Sequence, residues 1–218
     1  MQGLTLIQKI ILFAPPALLA ITLHEVAHGA MARHFGDRTA EMLGRLTINP
    51  LKHIDPIGTV VVPIALLVLG SSFLFGWAKP VPVATRNLRN PKRDMVYVAA
   101  AGPAANLLMA LGWAILIKIV SELGLVSQPA FQAVVVMASF GITINVFLAV
   151  LNMLPIPPLD GGKVASGLLP LRMSSTLDRI EPYGFFVLLG LMYAGVLWPI
   201  MMPIVKGTNE LIMILTGL

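Results

Sequence analysis

An apolar run opens near Leu4 and continues to about Ala32, and its inner half holds one polar cluster, Leu23-His24-Glu25-Val26-Ala27-His28-Gly29. The run predicts a first helix from about Leu4 to His34, bent at Pro15-Pro16. From Gly36 to Pro56 the chain is polar and mixed in sign, with Arg45-Leu46-Thr47-Ile48 reading as a short strand and Asn49-Pro50 as a turn. Ile57 to Phe75 is apolar but interrupted by Pro63 and Gly70-Ser71-Ser72. Gly76-Trp77-Ala78-Lys79-Pro80-Val81-Pro82-Val83 follows, too rich in proline to be helical. Two further apolar helices are predicted, about Met95 to Ile119 and Ala130 to Leu151, joined by a segment from Glu122 to Pro129 without Lys or Arg. The second runs into Asn152-Met153-Leu154-Pro155-Ile156-Pro157-Pro158-Leu159-Asp160-Gly161-Gly162, where proline breaks the helix and glycine lets the backbone turn. Tyr183 to Leu218 supplies one or two more apolar passes.

Composition turns these runs into membrane spans. Of 218 residues, 57% are hydrophobic and 11% charged, against about 25% charged in soluble domains. The fold class expected is an all-α polytopic membrane protein: one membrane-embedded domain over 1–218, with a core of about 4–168 and C-terminal helices at about 183–218. A net charge of +5 is topology here rather than nucleic-acid binding, because Lys and Arg cluster beside the apolar runs as in cytoplasmic loops facing anionic lipid. Arg38, Arg45 and Lys52 precede Ile57 to Phe75 and Arg86, Arg89, Lys92 and Arg93 follow it, so both of its ends face one side and the segment is expected to re-enter rather than cross. Irregular backbone at that depth must lie against protein or a wet cavity, which places Trp77 to Val83 beside the polar cluster.

Ionisable groups at membrane depth mark function. Residues four apart on a helix share a face, so His24 and His28 can aim their rings at one metal ion with Glu25 beside the attacking water. Counting inward from the polar end of the helix, His28 lies about 8 Å and His24 about 14 Å deep. No cysteine exists to ligate, and a catalytic zinc needs a third protein ligand. Asp160 is the carboxylate inside the breaker motif, whereas Glu122, Glu181 and Glu210 lie in loops or near chain ends. If Ile57 to Phe75 re-enters, Asp160 ends on the side of His28; if it crosses, the two are a bilayer apart.

These pieces resemble the site-2 protease family of intramembrane zinc metalloproteases, through His24-Glu25-Val26-Ala27-His28, Ala101-Gly102-Pro103-Ala104-Ala105-Asn106, and Asn145 with Asn152 to Gly162. The resemblance spans about Leu4 to Gly162 and points to the compact prokaryotic subgroup without PDZ or CBS domains. It implies one Zn2+ per chain held by His24, His28 and Asp160, with Glu25 and Asn152 as catalytic residues, Asn106 as the polar position of a Gly-x-x-x-Asn segment, and a strand near the site at Trp77 to Val83. Substrate contacts are expected from Asn106, His53, Trp77, Pro80, Val81 and Val83. Asn106 is equally an amide that bridges helices, Asn145 is interhelical glue, and His53 is either a gate at the site or a solvated loop side chain. The implied activity is hydrolysis of peptide bonds in or near transmembrane segments, in the plasma membrane of a prokaryote, with the site nearer the cytoplasm. The partners are a membrane-spanning substrate and lipid. A metal-dependent enzyme acting on a lipid or small molecule, or a zinc-binding transporter, remains the alternative, and the same donor set suits iron or manganese.

Overall fold

The computed structural model describes residues 4–68 and 76–218. The first helix, α1 (Leu6–His34), starts at a capping box in which Thr5 and Gln8 exchange hydrogen bonds, and it runs through Pro15 and Pro16. A short α2 (Thr39–Met42) leads into irregular chain and a 3₁₀ turn at Pro50–His53. The strand expected at Arg45 to Ile48 is not formed. Other partners take its backbone groups instead: Arg45 N–H donates to Ala40 O at 2.8 Å and Thr47 O accepts from His53 Nε2 at 2.9 Å.

A π-helical turn at Pro56–Val61, capped by Asp55, continues into α3 (Val62–Val68). Residues 69–75, including the Gly70-Ser71-Ser72 interruption, lie outside the described residues. The return point settles the path. Trp77 N–H donates to Gly58 O at 3.1 Å and Lys79 N–H to His53 O at 2.9 Å, so the chain comes back beside the place it left. Gly58 and Trp77 therefore lie side by side, as the charges on both flanks require.

Residues 76–84 are extended and form no sheet. They lead to α4 (Pro91–Glu122), longer than the apolar pattern alone: Pro91 opens it at a position where no N–H is needed, and Asp94 accepts from Asn90 N–H, so Lys92 and Arg93 lie in its first turn. Next come α5 (Pro129–Asn152), α6 (Asp160–Leu168), α7 (Leu171–Ile180), α8 (Gly184–Tyr193) and α9 (Leu197–Thr216). Three helices, beginning at Ile7, Pro91 and Pro129, are long and apolar enough to cross a bilayer, and the C-terminal pair bends by 84° at its break.

The central helix is α4, which packs on α1, α5, α6 and α9. Small residues make this possible: Ala110, Ala114 and Ala138 are buried, and the Trp113 ring lies over Gly141 where a Cβ would collide. Large apolar side chains such as Ile10, Ile11, Leu108, Ile115 and Ile119 point outward, an arrangement stable in lipid and costly in water.

Candidate active site

The polar cluster of α1 faces the first half of α4. His28 Nδ1 donates to Val98 O at 2.7 Å, and His24 Nδ1 lies 2.6 Å from Asn106 Oδ1. The amide orientation of Asn106 follows from its other bonds, since Nδ2 donates to Ala20 O at 3.1 Å and to Asn145 Oδ1 at 2.9 Å. Asn145 Nδ2 in turn donates to Gly141 O. Both residues are wholly buried and their donors are committed to protein, so Asn106 orients His24 and bridges three helices. The expected substrate contact is not available to it.

With each Nδ1 carrying a proton toward an acceptor, each Nε2 holds a lone pair. Those lone pairs converge: His24 Nε2 and His28 Nε2 are 3.0 Å apart, and Asp160 Oδ2 lies 3.1 and 3.2 Å from them. Three buried acceptors at this spacing repel one another unless a cation sits among them. For bonds of 2.0–2.1 Å a tetrahedral edge is about 3.3 Å, so the donor set fits zinc. This is the one such cluster among the described residues.

Glycines admit these rings. A Cβ on Gly102 would fall 2.6 Å from His24 Cε1 and nearer still to His28 Nε2. Gly102 and Asn106, one turn apart on α4, thus make room for both rings and hold the first. Gly161 and Gly162 press against the backbone of Met153, Leu154 and Pro157, which folds the breaker motif back so that Asp160, in the first turn of α6, reaches the histidines.

Glu25 does not join the cluster. Its Oε2 accepts from Val81 N–H at 2.7 Å, and Gly29 one turn later lets the Val81 side chain pack on α1. Asn152 lines both cavities at the site and turns one Nδ2 hydrogen back to Leu148 O. The first cavity, about 550 Å³, is apolar, with Ile21, Trp77, Pro80, Leu148, Phe185 and Leu188 in its walls. The second, about 490 Å³, is more polar and holds all three acceptors together with Val81, Val83, Lys163 and Glu181. Trp77 and Pro80 line the apolar cavity, Trp77 edge-on to Phe185 at 5.6 Å.

Two expectations need correction. His53 is neither a gate nor a solvated side chain: it is 3% exposed, its Nε2 donates to Thr47 O, and its carbonyl supports Lys79 from behind the site. Nor is the strand expected near the site at Trp77 to Val83 formed. Trp77, Lys79, Val81 and Ala84 donate to Gly58 O, His53 O, Glu25 and Asp37, and Pro80 and Pro82 have no N–H, so few donors of the segment are left for a ladder.

Sequence reasoning passed over Gly29, Gly102, Asp37 and Arg45. Gly29 directly follows the histidine motif and Gly102 opens the Gly-x-x-x-Asn segment, so both carried a spacing signal. Asp37 takes Thr39 N–H in an Asx turn, which the pattern Asp-Arg-Thr announces. Nothing local marks Arg45, whose partners are 34 and 35 residues away.

Known proteins match the chain over much of its length. Residues 116–194 match the profile described as Peptidase family M50. The chain is 38% identical to a Bacillus subtilis protein named "Putative zinc metalloprotease YwhC", over 84% of this chain and 83% of that one. It is 30% identical to the Mycolicibacterium smegmatis protein named "Putative zinc metalloprotease Rip2", over 80% of this chain and 64% of the relative. For the Mycobacterium tuberculosis protein of that name the identity is 31%, over 66% and 52%. No solved structure matches the chain.

Proposed function

The chain belongs to peptidase family M50, a family of zinc metalloproteases, and on that premise we propose that it is an intramembrane endopeptidase cutting peptide bonds in or near transmembrane segments of other membrane proteins. His24, His28 and Asp160 are the metal's protein ligands, Glu25 is the general base, and 1–218 works as one membrane-embedded unit. The observation that carries this reading is the meeting of two imidazole lone pairs and a carboxylate oxygen within 3.2 Å, below the polar end of α1.

A zinc ion held there supplies Lewis-acid polarisation of a peptide carbonyl and acidifies water. The remaining roles fall to the chain. Glu25 takes the proton from the attacking water at its free oxygen and returns it to the leaving amine. Asn152 retains a second amide hydrogen for the oxygen of the attacked carbonyl. The apolar cavity receives unwound substrate through the rim at Trp77 and Pro80, and the walls of Leu148, Phe185 and Leu188 exclude bulk water. Basic residues gather at the site end of the bundle, Arg33 and Arg45 near α1 and α2 and Arg86, Arg89 and Lys92 before and within α4, which supports a site facing the cytoplasm of a prokaryotic plasma membrane.

Purified chain is incubated in detergent or vesicles with a membrane-spanning test peptide, with and without a chelator, beside the Glu25→Gln form. Cleavage that needs both the metal and Glu25 is the expected result. Intact peptide under all conditions, with a lipid ester hydrolysed in its place, would overturn the reading in favour of a lipid enzyme.

A further inference from the structure

The extended segment 76–84 is held at its middle and at its far end by residues from distant parts of the chain. Arg45 Nη2 donates to Lys79 O at 2.9 Å and to Pro80 O at 3.4 Å. At the far end Asp37 Oδ2 accepts Ala84 N–H at 2.7 Å, while Oδ1 takes Thr39 N–H and the Asn87 amide. Asp37 is 1% exposed, so this carboxylate is spent on fixing backbone and the side chains of Thr39 and Asn87. Directly after the Arg45 anchor and three residues before the Asp37 one, Val81 N–H meets Glu25 Oε2 at 2.7 Å.

Backbone on the outer side completes the hold through Trp77 N–H to Gly58 O, Lys79 N–H to His53 O, and the Thr59 hydroxyl to Trp77 O. Arg45 keeps its grip although its own Nε is buried without an acceptor. That arrangement costs free energy, and better packing alone does not require the guanidinium to face two carbonyls.

We infer that Arg45 and Asp37 are positioning residues that stretch segment 76–84 across the site so that the Val81 N–H fixes the Glu25 carboxylate. One oxygen of Glu25 is thereby tied to Val81 and the other is left for the attacking water. The inference rests on the reading of Glu25 as general base. It separates two roles the segment could play. A surface that binds substrate acts on KM, whereas an element that orients the base acts on kcat.

Steady-state cleavage of the test peptide by zinc-loaded protein is measured for Arg45→Ala, Arg45→Lys, Asp37→Asn, Val81→Pro and the double variant Arg45→Ala with Val81→Pro, together with zinc content and amide exchange over 76–84. Arg45→Ala is expected to lower kcat about tenfold or more with KM nearly unchanged, since misplacement by 1 Å costs up to about 100-fold. Zinc content stays at the parent level and exchange over 76–84 quickens. Arg45→Lys, which keeps a donor, recovers part of kcat, and Asp37→Asn moves in the same direction as Arg45→Ala. Val81→Pro removes the N–H together with the valine side chain that packs at Gly29, and the double variant is no slower than Val81→Pro alone. A rise in KM at constant kcat, additive losses in the double variant, or unchanged exchange in Arg45→Ala each overturns the inference. If the parent and Glu25→Gln forms behave alike, the functional reading fails instead, and amide exchange still decides whether Arg45 anchors the segment.

Discussion

Replacing Gly102 by alanine adds one methyl group and tests the geometry of the whole site. An added Cβ would stand 2.6 Å from His24 Cε1 and His28 Cε1, and closer to His28 Nε2, where carbon contacts need about 3.5 Å. Either both rings retreat by about 1 Å or α4 moves off α1. The rings are tied through Nδ1 to Asn106 and Val98 on α4 itself, so retreat also strains those bonds. Loss of orienting contacts of this kind lowers metal affinity by about 10- to 100-fold, and cleavage should fall at least as far. Stability should change much less, because about 1 kcal/mol gained from alanine in a helix offsets about 1–3 kcal/mol of overpacking. Gly112, on the same helix with nothing within 4 Å of a Cβ, is the control: Gly112→Ala should match the parent in zinc binding and melt at the same temperature or slightly above. The assay is zinc content and affinity by chelator competition, peptide cleavage, and thermal unfolding in one detergent. Full zinc affinity and full activity in Gly102→Ala would show that the two imidazoles do not rest on α4, and the cluster as described would be wrong.

Asn106→Leu should weaken zinc binding about 10- to 100-fold, because it strips His24 Nδ1 of its acceptor, and Asn145→Ala should weaken it less, since Asn145 reaches the ring only through Asn106; equal losses in a chelator titration would count against that order. Burial raises the Asp37 carboxyl, but bonds from Thr39, Asn87 and Ala84 outweigh it and hold the pKa below the usual value of 3.8. Stability from this group is then present above that value and is lost as pH falls through the lowered one, so on acidification the parent should lose more thermal stability than Asp37→Asn, and parallel pH profiles would contradict the assignment. The chain has no cysteine, so single cysteines report topology without background. In intact cells an impermeant thiol reagent should label Ser127→Cys, between α4 and α5, and neither Lys52→Cys nor Arg89→Cys, on the two flanks of Ile57 to Phe75; labelling of one flank and not the other would remove the re-entrant path.

Much of the site was legible because its signals are short in sequence and harsh in energy. Two histidines four apart inside an apolar helix, and one carboxylate inside a proline and glycine motif, are placements that lipid does not tolerate without a purpose, so they stand out one residue at a time. That the two flanks of Ile57 to Phe75 come together was legible from charge, since both carry Arg and Lys. His53, Asn106 and Arg45 were different. A histidine in a polar loop looks solvated until the fold covers it, and an amide on an apolar helix looks the same whether it faces substrate or a neighbouring helix.

The amino-acid order by itself determined the membrane setting, the three long spans, the pair of imidazoles and the carboxylate that meets them, because each follows from local periodicity, charge or spacing. Only the tertiary structure decided that Asn106 serves His24, that Gly102 gives both rings their space, and that Arg45 and Asp37 hold Val81 against Glu25. Those contacts join residues from 34 to 82 positions apart, and no local pattern encodes a distance that arises only when α1, α4 and the extended segment pack together.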